Sequence, residues 1–364
     1  MKKRYILFIF IICFVFTANL SVSALDLTAR SLGMGGTFTG IADEVNTVIY
    51  NPAGITQAGS LGFNINGGVQ VSEWNQYSEL IEKVENIDKV LKDNDIADLY
   101  YSFPDETTIR GQLFLGGNVN NFAISHKTDK NIVNVNNKLK VEDTSKNILT
   151  YGREVLTPYG DLGALSYGLN LKFLDNETVN YNFDINEENN GEDQLTKIKR
   201  SGRGMGVDTG LLLKLTDLVQ VGMQIRDIYT PDYRAVQKKY NYNIDDSQWD
   251  ETEEETKIIP TDPELRAGAS VEIPLLNARI AGDIDNFTSV FNNNQKTVYH
   301  LGFEKHILLR ALTLRGGYID NSENQYYTAG LGVNLYTLEV NTALAADNSF
   351  QDDYMFVLSG KMQF

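Results

Sequence analysis

From Leu61 to Ser72 the chain alternates strictly between two faces. Leu61, Phe63, Ile65, Gly67, Val69 and Val71 stand against Gly62, Asn64, Asn66, Gly68, Gln70 and Ser72. A period of two marks a strand with one apolar and one polar face. The pattern returns after Ile109 and holds to the end of the chain. Strands are expected over 110–117, 121–128, 147–156, 163–174, 204–215, 218–228, 264–273, 277–286, 297–306, 311–319, 325–333, 336–346 and 352–364. With 61–72 these make fourteen, and 131–141 reads as a further strand or an extended loop. Beyond its first residues the chain has no run approaching 18 apolar residues, so no transmembrane helix is expected there. A chain of this pattern can cross a membrane only as a closed barrel, since in lipid every backbone group must be paired internally.

The connections support that reading. Thr216-Asp217, Leu275-Leu276 and Asn334-Leu335 are short, whereas 175–203 and 229–263 read as long polar loops. Short turns at one end and long loops at the other are the asymmetry of outer-membrane barrels. Tyr299, Tyr318, Tyr326, Tyr327, Tyr336 and Tyr354 fall near expected strand ends, where interfacial aromatic girdles lie. Glycine recurs inside the strands, at 204, 206, 210, 222, 268, 302, 316, 317, 330 and 332. It weakens an ordinary strand but suits a wall that curves tightly or packs against something inside.

The chain ends in a strand as well. Tyr354, Phe356, Leu358, Gly360, Met362 and Phe364 share one face, opposite Met355, Val357, Ser359, Lys361 and Gln363. A terminal strand with an apolar face needs a neighbour to close its edge. The carboxyl terminus is thus an aromatic residue expected on the lipid side, as in bacterial barrels recognised by the barrel-assembly machinery.

The first 24 residues read as an export leader. Lys2, Lys3 and Arg4 precede twelve apolar residues from Tyr5 to Phe16, and Val22-Ser23-Ala24 offers a cleavage site before Leu25. Cys13 is the chain's one cysteine and lies in this leader, so the mature fold is expected without disulfides. Without Lys2, Lys3 and Arg4 the 32 basic residues become 29 against 48 acidic ones, a formal charge of −19. Such a balance argues against nucleic acid as a partner.

No catalytic constellation stands out, and no cofactor is expected. His126, His300 and His306 are scattered and lack metal-ligand spacing. The glycines of 202–206 lack the following Lys-Ser/Thr of a phosphate loop and open a strand. Acidic residues cluster at Glu187, Glu188, Glu192 and Asp193, and again at Asp245, Asp246, Asp250, Glu251 and Glu253 to Glu255. Neither set has the ordered spacing of a calcium loop, and both read as solvated loop surface. Leu80, Ile81, Val84, Ile87, Val90 and Leu91 recur at helical spacing, which predicts an amphipathic helix inserted over 75–99.

Residues 25–60 differ from the rest. They hold Gly33-Met34-Gly35-Gly36, Asp43-Glu44 and Asn51-Pro52-Ala53-Gly54, and predict a compact irregular segment with a short helix around 46–50. The order Ala29-Arg30-Ser31-Leu32-Gly33-Met34-Gly35-Gly36, Ile41-Ala42-Asp43-Glu44, Asn51-Pro52-Ala53-Gly54 resembles the N-terminal pattern of the FadL-type outer-membrane transporter superfamily. Residues 204–214, running on to 218–227, look like paired central strands of the same group. That superfamily includes hydrocarbon and fatty-acid channels and the PorV-like and TraF-like proteins tied to secretion or conjugation.

The resemblance implies a closed antiparallel barrel of about fourteen strands over 61–364 in the outer-membrane lipid. It also implies an N-terminal hatch over 25–60 that carries Gly33, Gly35, Gly36, Asp43, Asn51, Pro52 and Ala53. The activity it implies is passive uptake of a small hydrophobic ligand. Docking of a secretion or conjugation partner is the alternative, favoured by a lumen filled with polar side chains. An outer-membrane enzyme would need a nucleophile and base in one place, which the sequence does not offer.

Overall fold

The computed structural model describes residues 27–72, 107–135, 138–155, 163–184, 194–229, 233–243, 248–259, 263–286, 297–321, 324–350 and 353–364. The leader read over 1–24 and the helix read over 75–99 lie outside them. The strands are β1 (Leu61–Ser72), β2 (Thr107–Val119), β3 (Phe122–Val135), β4 (Lys138–Val155), β5 (Leu165–Asp184), β6 (Gln194–Lys214), β7 (Val219–Tyr229) and β8 (Tyr233–Asn243). They continue as β9 (Gln248–Ile259), β10 (Glu264–Ile273), β11 (Ala278–Asp285), β12 (Val298–Ile307), β13 (Leu312–Asp320), β14 (Gln325–Leu335), β15 (Leu338–Asp347) and β16 (Asp353–Gln363).

Fourteen of these strands close a ring. β1 pairs with both β2 and β16, β5 pairs with β6, and β7 pairs across to β10. β8 and β9 stand outside it as a hairpin on the distal half of β6, registered from Thr196↔Asn241 to Gly202↔Ala235. The fourteen expected strands are the fourteen of the ring. Alternation settles the faces. In β1, Asn64, Asn66 and Gln70 are buried toward the lumen, while Leu61 and Phe63 are about half exposed on the outside (51% and 50%). Phe364 locks the closure, since its N–H donates to the Leu61 carbonyl at 2.8 Å and its own oxygen accepts from Ser60 N at 2.9 Å. Among the described residues no helix is long and apolar enough to cross a membrane.

The reading of 175–203 as a loop is corrected: β5 and β6 stay paired through Asp175↔Arg203 to Asp184↔Gln194. Likewise 229–263 holds β8 and β9 rather than loop. Residues 131–135 are the end of β3 and 138–141 the start of β4. Alternation hid these elements because strand beyond the lipid needs no continuous apolar face. The acidic residues of 250–255 lie on β9 rather than in a loop, where Lys238 meets Glu251 at 3.1 Å and Glu254 at 2.9 Å. On the outward side of the prolonged strands, Val71, Ile109, Ile132, Leu139, Tyr181, Phe183 and Leu195 form a second apolar core. Tyr242 and Trp249 of the hairpin pack against it.

The ring has one break in register. Val207 pairs with Tyr229 and Thr209 with Ile225, so β7 carries two extra residues there, and Asp227 adopts a left-handed φ of 51°. A bulge of this kind bends the strand and ends regular pairing. Lys172 bridges the break from inside, 2.6 Å from Asp208 and 2.7 Å from Asp227.

Candidate functional site: the segment inside the ring

Residues 27–60 lie inside the ring and touch nearly every part of it. They form helix α1 (Ala29–Gly33), helix α2 (Thr47–Tyr50) and a 3-10 turn (Pro52–Gln57). Thr28 starts α1 with a capping box: its hydroxyl accepts from Ser31 N at 3.2 Å, and the Ser31 hydroxyl accepts from Thr28 N at 3.0 Å. The Tyr50 hydroxyl accepts from Thr28 N at 3.0 Å, tying the two helices together. Phe38, Ile41, Val48, Ile49 and Tyr50 make the segment's own core and reach Phe114, Ala123 and Ala281 of the wall.

The glycines expected here permit close approach. Gly35 has φ 65°, and a Cβ on it would lie 2.3 Å from the Leu301 carbonyl oxygen. A Cβ on Gly317, facing it from β13, would lie 2.1 Å from Gly35 N. Segment and wall are thus in backbone contact, which only paired glycines allow. Gly36, at φ 85°, lies against the ring of His300, whose Nδ1 is 2.7 Å from the Gly35 oxygen. Gly33 meets Gly330 in the same way.

Asn51, Pro52 and Ala53 sit on the other side, against β5 and β6. The Asn51 side chain donates to the Thr39 oxygen at 3.1 Å and the Leu211 oxygen at 2.9 Å, and accepts from Ala53 N at 3.1 Å. One buried amide therefore joins both arms of the segment to the wall. Pro52 opens the 3-10 turn, where its missing N–H costs nothing. Ala53 is wholly buried against Ala42 and Leu212.

Asp43 belongs to an ionic network that joins the segment to β11–β16. Arg30 of α1 donates to Asp43 at 2.6 Å and to both Glu304 oxygens at 2.9 Å. Arg315 donates to Glu304 at 2.7 Å, and Arg279 reaches Asp43 at 3.0 Å. Lys361 lies 3.0 Å from Glu44 and 2.7 Å from Glu339. Burial alone would push the Asp43 carboxyl up, but Arg30 and Arg279 overcome it and hold it well below the usual carboxylate range. The same carboxylates hold the Arg30 guanidinium charged against the cost of its burial.

Of these partners Arg30, Asp43 and Glu44 fall within the motifs singled out in the sequence. Arg279, Glu304, Arg315, Glu339 and Lys361 are charges at lumen-facing positions of apolar strands, and that placement was the signal available. His126, His300 and His306 lie on different parts of the wall, and no metal-binding cluster occurs among the described residues. Tyr354, Phe356, Leu358 and Met362 lie on the outward face of β16, and Phe364, just past its end, is exposed.

Many lumen-facing side chains are polar, but besides Phe114, Ala123 and Ala281 the wall carries a second apolar patch. Leu27, Ala29 and Leu32 cover Ile319, Tyr326, Ala343, Ala345, Met355 and Val357 on β13–β16. Beside Leu27 a crevice of about 10 Å³ remains, bounded by Gly68, Gln112 and Met355. That volume is at the lower limit for one water. The Gln112 amide donates to the Leu27 carbonyl there.

A closed ring of fourteen strands, apolar outside and occupied inside by a folded segment, defines a transmembrane β-barrel with an internal obstruction. Its fold is that of the FadL-type transporters. The chain is similar to the CymD monoaromatic hydrocarbon channel, at 12% identity over 93% of this chain and 97% of that one, with a TM-score of 0.61. It is similar to the Ralstonia pickettii toluene transporter TbuX, at 11% identity over 93% and 98%, with a TM-score of 0.60. A Pseudomonas aeruginosa FadL homologue matches at 10% identity over 95% and 100%, with a TM-score of 0.58. No family profile matches the sequence, and no curated protein does.

Proposed function

We propose that this chain is an outer-membrane channel for passive uptake of small hydrophobic molecules, with residues 27–60 as its hatch. The observation that carries the proposal is the apolar patch on the lumenal side of β13–β16, covered by Leu27 to Leu32. A hydrophobic ligand arriving from the outer face would take the place of these side chains. Displacement of α1 would uncover Ile319, Tyr326 and Met355 and enlarge the crevice beside Leu27. The break between β6 and β7 offers a way into the bilayer, since Met205, Ile228 and Tyr229 are exposed around it. The solved channels with this fold, named for monoaromatic hydrocarbons and toluene, agree with such a ligand class.

The test is a reversible lock. Leu27 and Gln112 are adjacent, the Gln112 amide donating to the Leu27 carbonyl, so cysteines at the two positions lie within reach of a reducible thiol cross-linker. Uptake of a radiolabelled monoaromatic hydrocarbon into proteoliposomes should stop in cross-linked Leu27→Cys/Gln112→Cys protein and return on reduction. Equal uptake in both states refutes a moving hatch.

The polar character of most of the lumen favours a second reading, a docking platform of the PorV or TraF kind. The β8–β9 hairpin, standing beyond the ring, is its natural contact surface. Under that reading the lock has no effect on the partner process, and deletion of 233–259 abolishes it.

A further inference from the structure

The wall is uneven in height. β5 and β6 have 20 and 21 residues, whereas β11 and β13 have 8 and 9. At ~3.4 Å per residue and a tilt near 40°, nine residues rise only about 21–23 Å. The apolar band of an outer-membrane barrel is about 25 Å tall. On β13 the outward series Leu312, Leu314, Gly316 and Tyr318 is already closed at the loop end by Asp320. The missing height lies at the other end, in the short turns.

Those turns have an unusual composition. Three successive ones, β10–β11, β12–β13 and β14–β15, place Leu275, Leu309 and Tyr336 at their tips, 92%, 103% and 98% exposed. Leu276 and Leu308 accompany them, also exposed. Leu308, Leu309 and Arg310 all have left-handed φ, 48°, 55° and 70°. Leucine is a poor choice for that backbone. The neighbouring turn uses the ordinary solution, Asn277 at φ 48°. The leucines at 308 and 309 therefore answer to their surroundings and not to the turn. Where the wall carries a longer apolar face, as on β2, the turn is the polar Asn120-Asn121.

We infer that the β10–β11, β12–β13 and β14–β15 turns are seated in the periplasmic leaflet, their side chains among the acyl chains and Arg310 at the phosphates. They continue the lipid-facing surface of Leu301, Phe303, Leu314, Leu331 and Val333, all exposed on the outside of the same strands. The turn backbone stays at the headgroup boundary, where water still satisfies it. A wall shorter than the bilayer is matched in this way, by extending its apolar surface and drawing the leaflet toward it. The inference rests on the membrane placement proposed above and is independent of transport.

Cys13 is the chain's one cysteine, so single thiols can be introduced cleanly once it is replaced by serine. Nitroxide labels at Leu275→Cys and Leu309→Cys would be compared with Leu331→Cys on the lipid face and Asn120→Cys on the polar turn. The bilayer is a phosphatidylethanolamine–phosphatidylglycerol vesicle. The expected result is loss of broadening by a water-soluble nickel complex at 275, 309 and 331, with broadening retained at 120. A dry 331 with wet 275 and 309 overturns the inference and leaves the membrane placement standing. A wet 331 removes both. The turn side chains are exposed, so these variants fold as the parent does.

Discussion

Replacing Glu304 with glutamine removes one charge from the centre of the lumenal network while keeping its shape. Within that network Arg30, Arg279, Arg315 and Lys361 face Asp43, Glu44, Glu304 and Glu339. Glu304 is wholly buried and accepts from both Arg30 and Arg315. Breaking a buried pair from one side costs about 3–5 kcal/mol, because the other charge is left without compensation. Arg30 keeps Asp43 and glutamine still accepts a hydrogen bond, so the lower figure applies. At ~1.4 kcal/mol per factor of ten, about 3 kcal/mol makes local opening of α1 roughly 150-fold more frequent. Hydrogen exchange of the protein in nanodiscs reads this directly. Amides of 29–36 should lose protection by about that factor, while those of β1, β2 and β16 keep theirs. Unchanged exchange in 29–36 would refute the claim that ion pairs hold α1. An equal loss throughout the ring would show that Glu304 supports the barrel and not the segment.

Two other outcomes follow from the same contacts. The folded Asp43 carboxyl is held below its unfolded value of about 3.9, so its contribution is complete above that pH and is lost as pH falls toward the folded value. Protection factors of the 29–36 amides should stay constant from pH 5 to 8 and fall only in stronger acid, and Asp43→Asn should already show the fall at pH 7. Asn51→Ala leaves the Thr39 and Leu211 carbonyls and Ala53 N–H without their partner, at about 1–3 kcal/mol for each buried group left unsatisfied. Its exchange signature should lie in 39–57 and on β6, not in α1, and a loss spread evenly over the segment would count against Asn51 as the tie.

The ring was legible because lipid enforces its pattern: an outward face must be apolar at every second residue, and Leu61 to Val71 or Tyr354 to Phe364 could hardly be anything else. Where lipid ends, that constraint ends. Thr178, Val179, Asn180, Tyr181, Asn182 and Phe183 alternate too, but among polar neighbours and charges, and so they read as loop. The β8–β9 hairpin was hidden for a further reason. Its pairing of Lys238 with Glu251 and Glu254 is a cross-strand match, and charge clusters show their partners only once the register is known. Inside the ring, Gly35, Gly36 and Asn51 could be singled out, since glycine and Asn-Pro mark special backbone. Glu304 and Arg315 could not be paired with Arg30 from sequence, because 274 residues separate Arg30 from Glu304.

The contacts of the segment are graded, and the grading says which part can move. Residues 34–58 are fixed by shape: backbone against backbone at Gly35 and Gly317, a buried amide at Asn51, and the Asp283 carboxylate accepting from Phe38 N and Thr39 N at 2.8 and 2.7 Å. Releasing them would leave buried donors and acceptors without partners all round the ring, at about 1–3 kcal/mol apiece. Helix α1 is held differently. Ahead of Gly33, which meets Gly330, its tie to the wall is the Arg30 ion pair together with apolar cover from Leu27, Ala29 and Leu32. Apolar cover is what a hydrophobic ligand can replace at no net loss of burial, since one apolar surface substitutes for another. The ion pair is then the remaining hold. A chain built this way need not expel its hatch to admit a ligand. It needs only to exchange Leu27 and Leu32 for the ligand while Arg30 swings on Glu304, and Glu304→Gln should therefore raise uptake rather than abolish it.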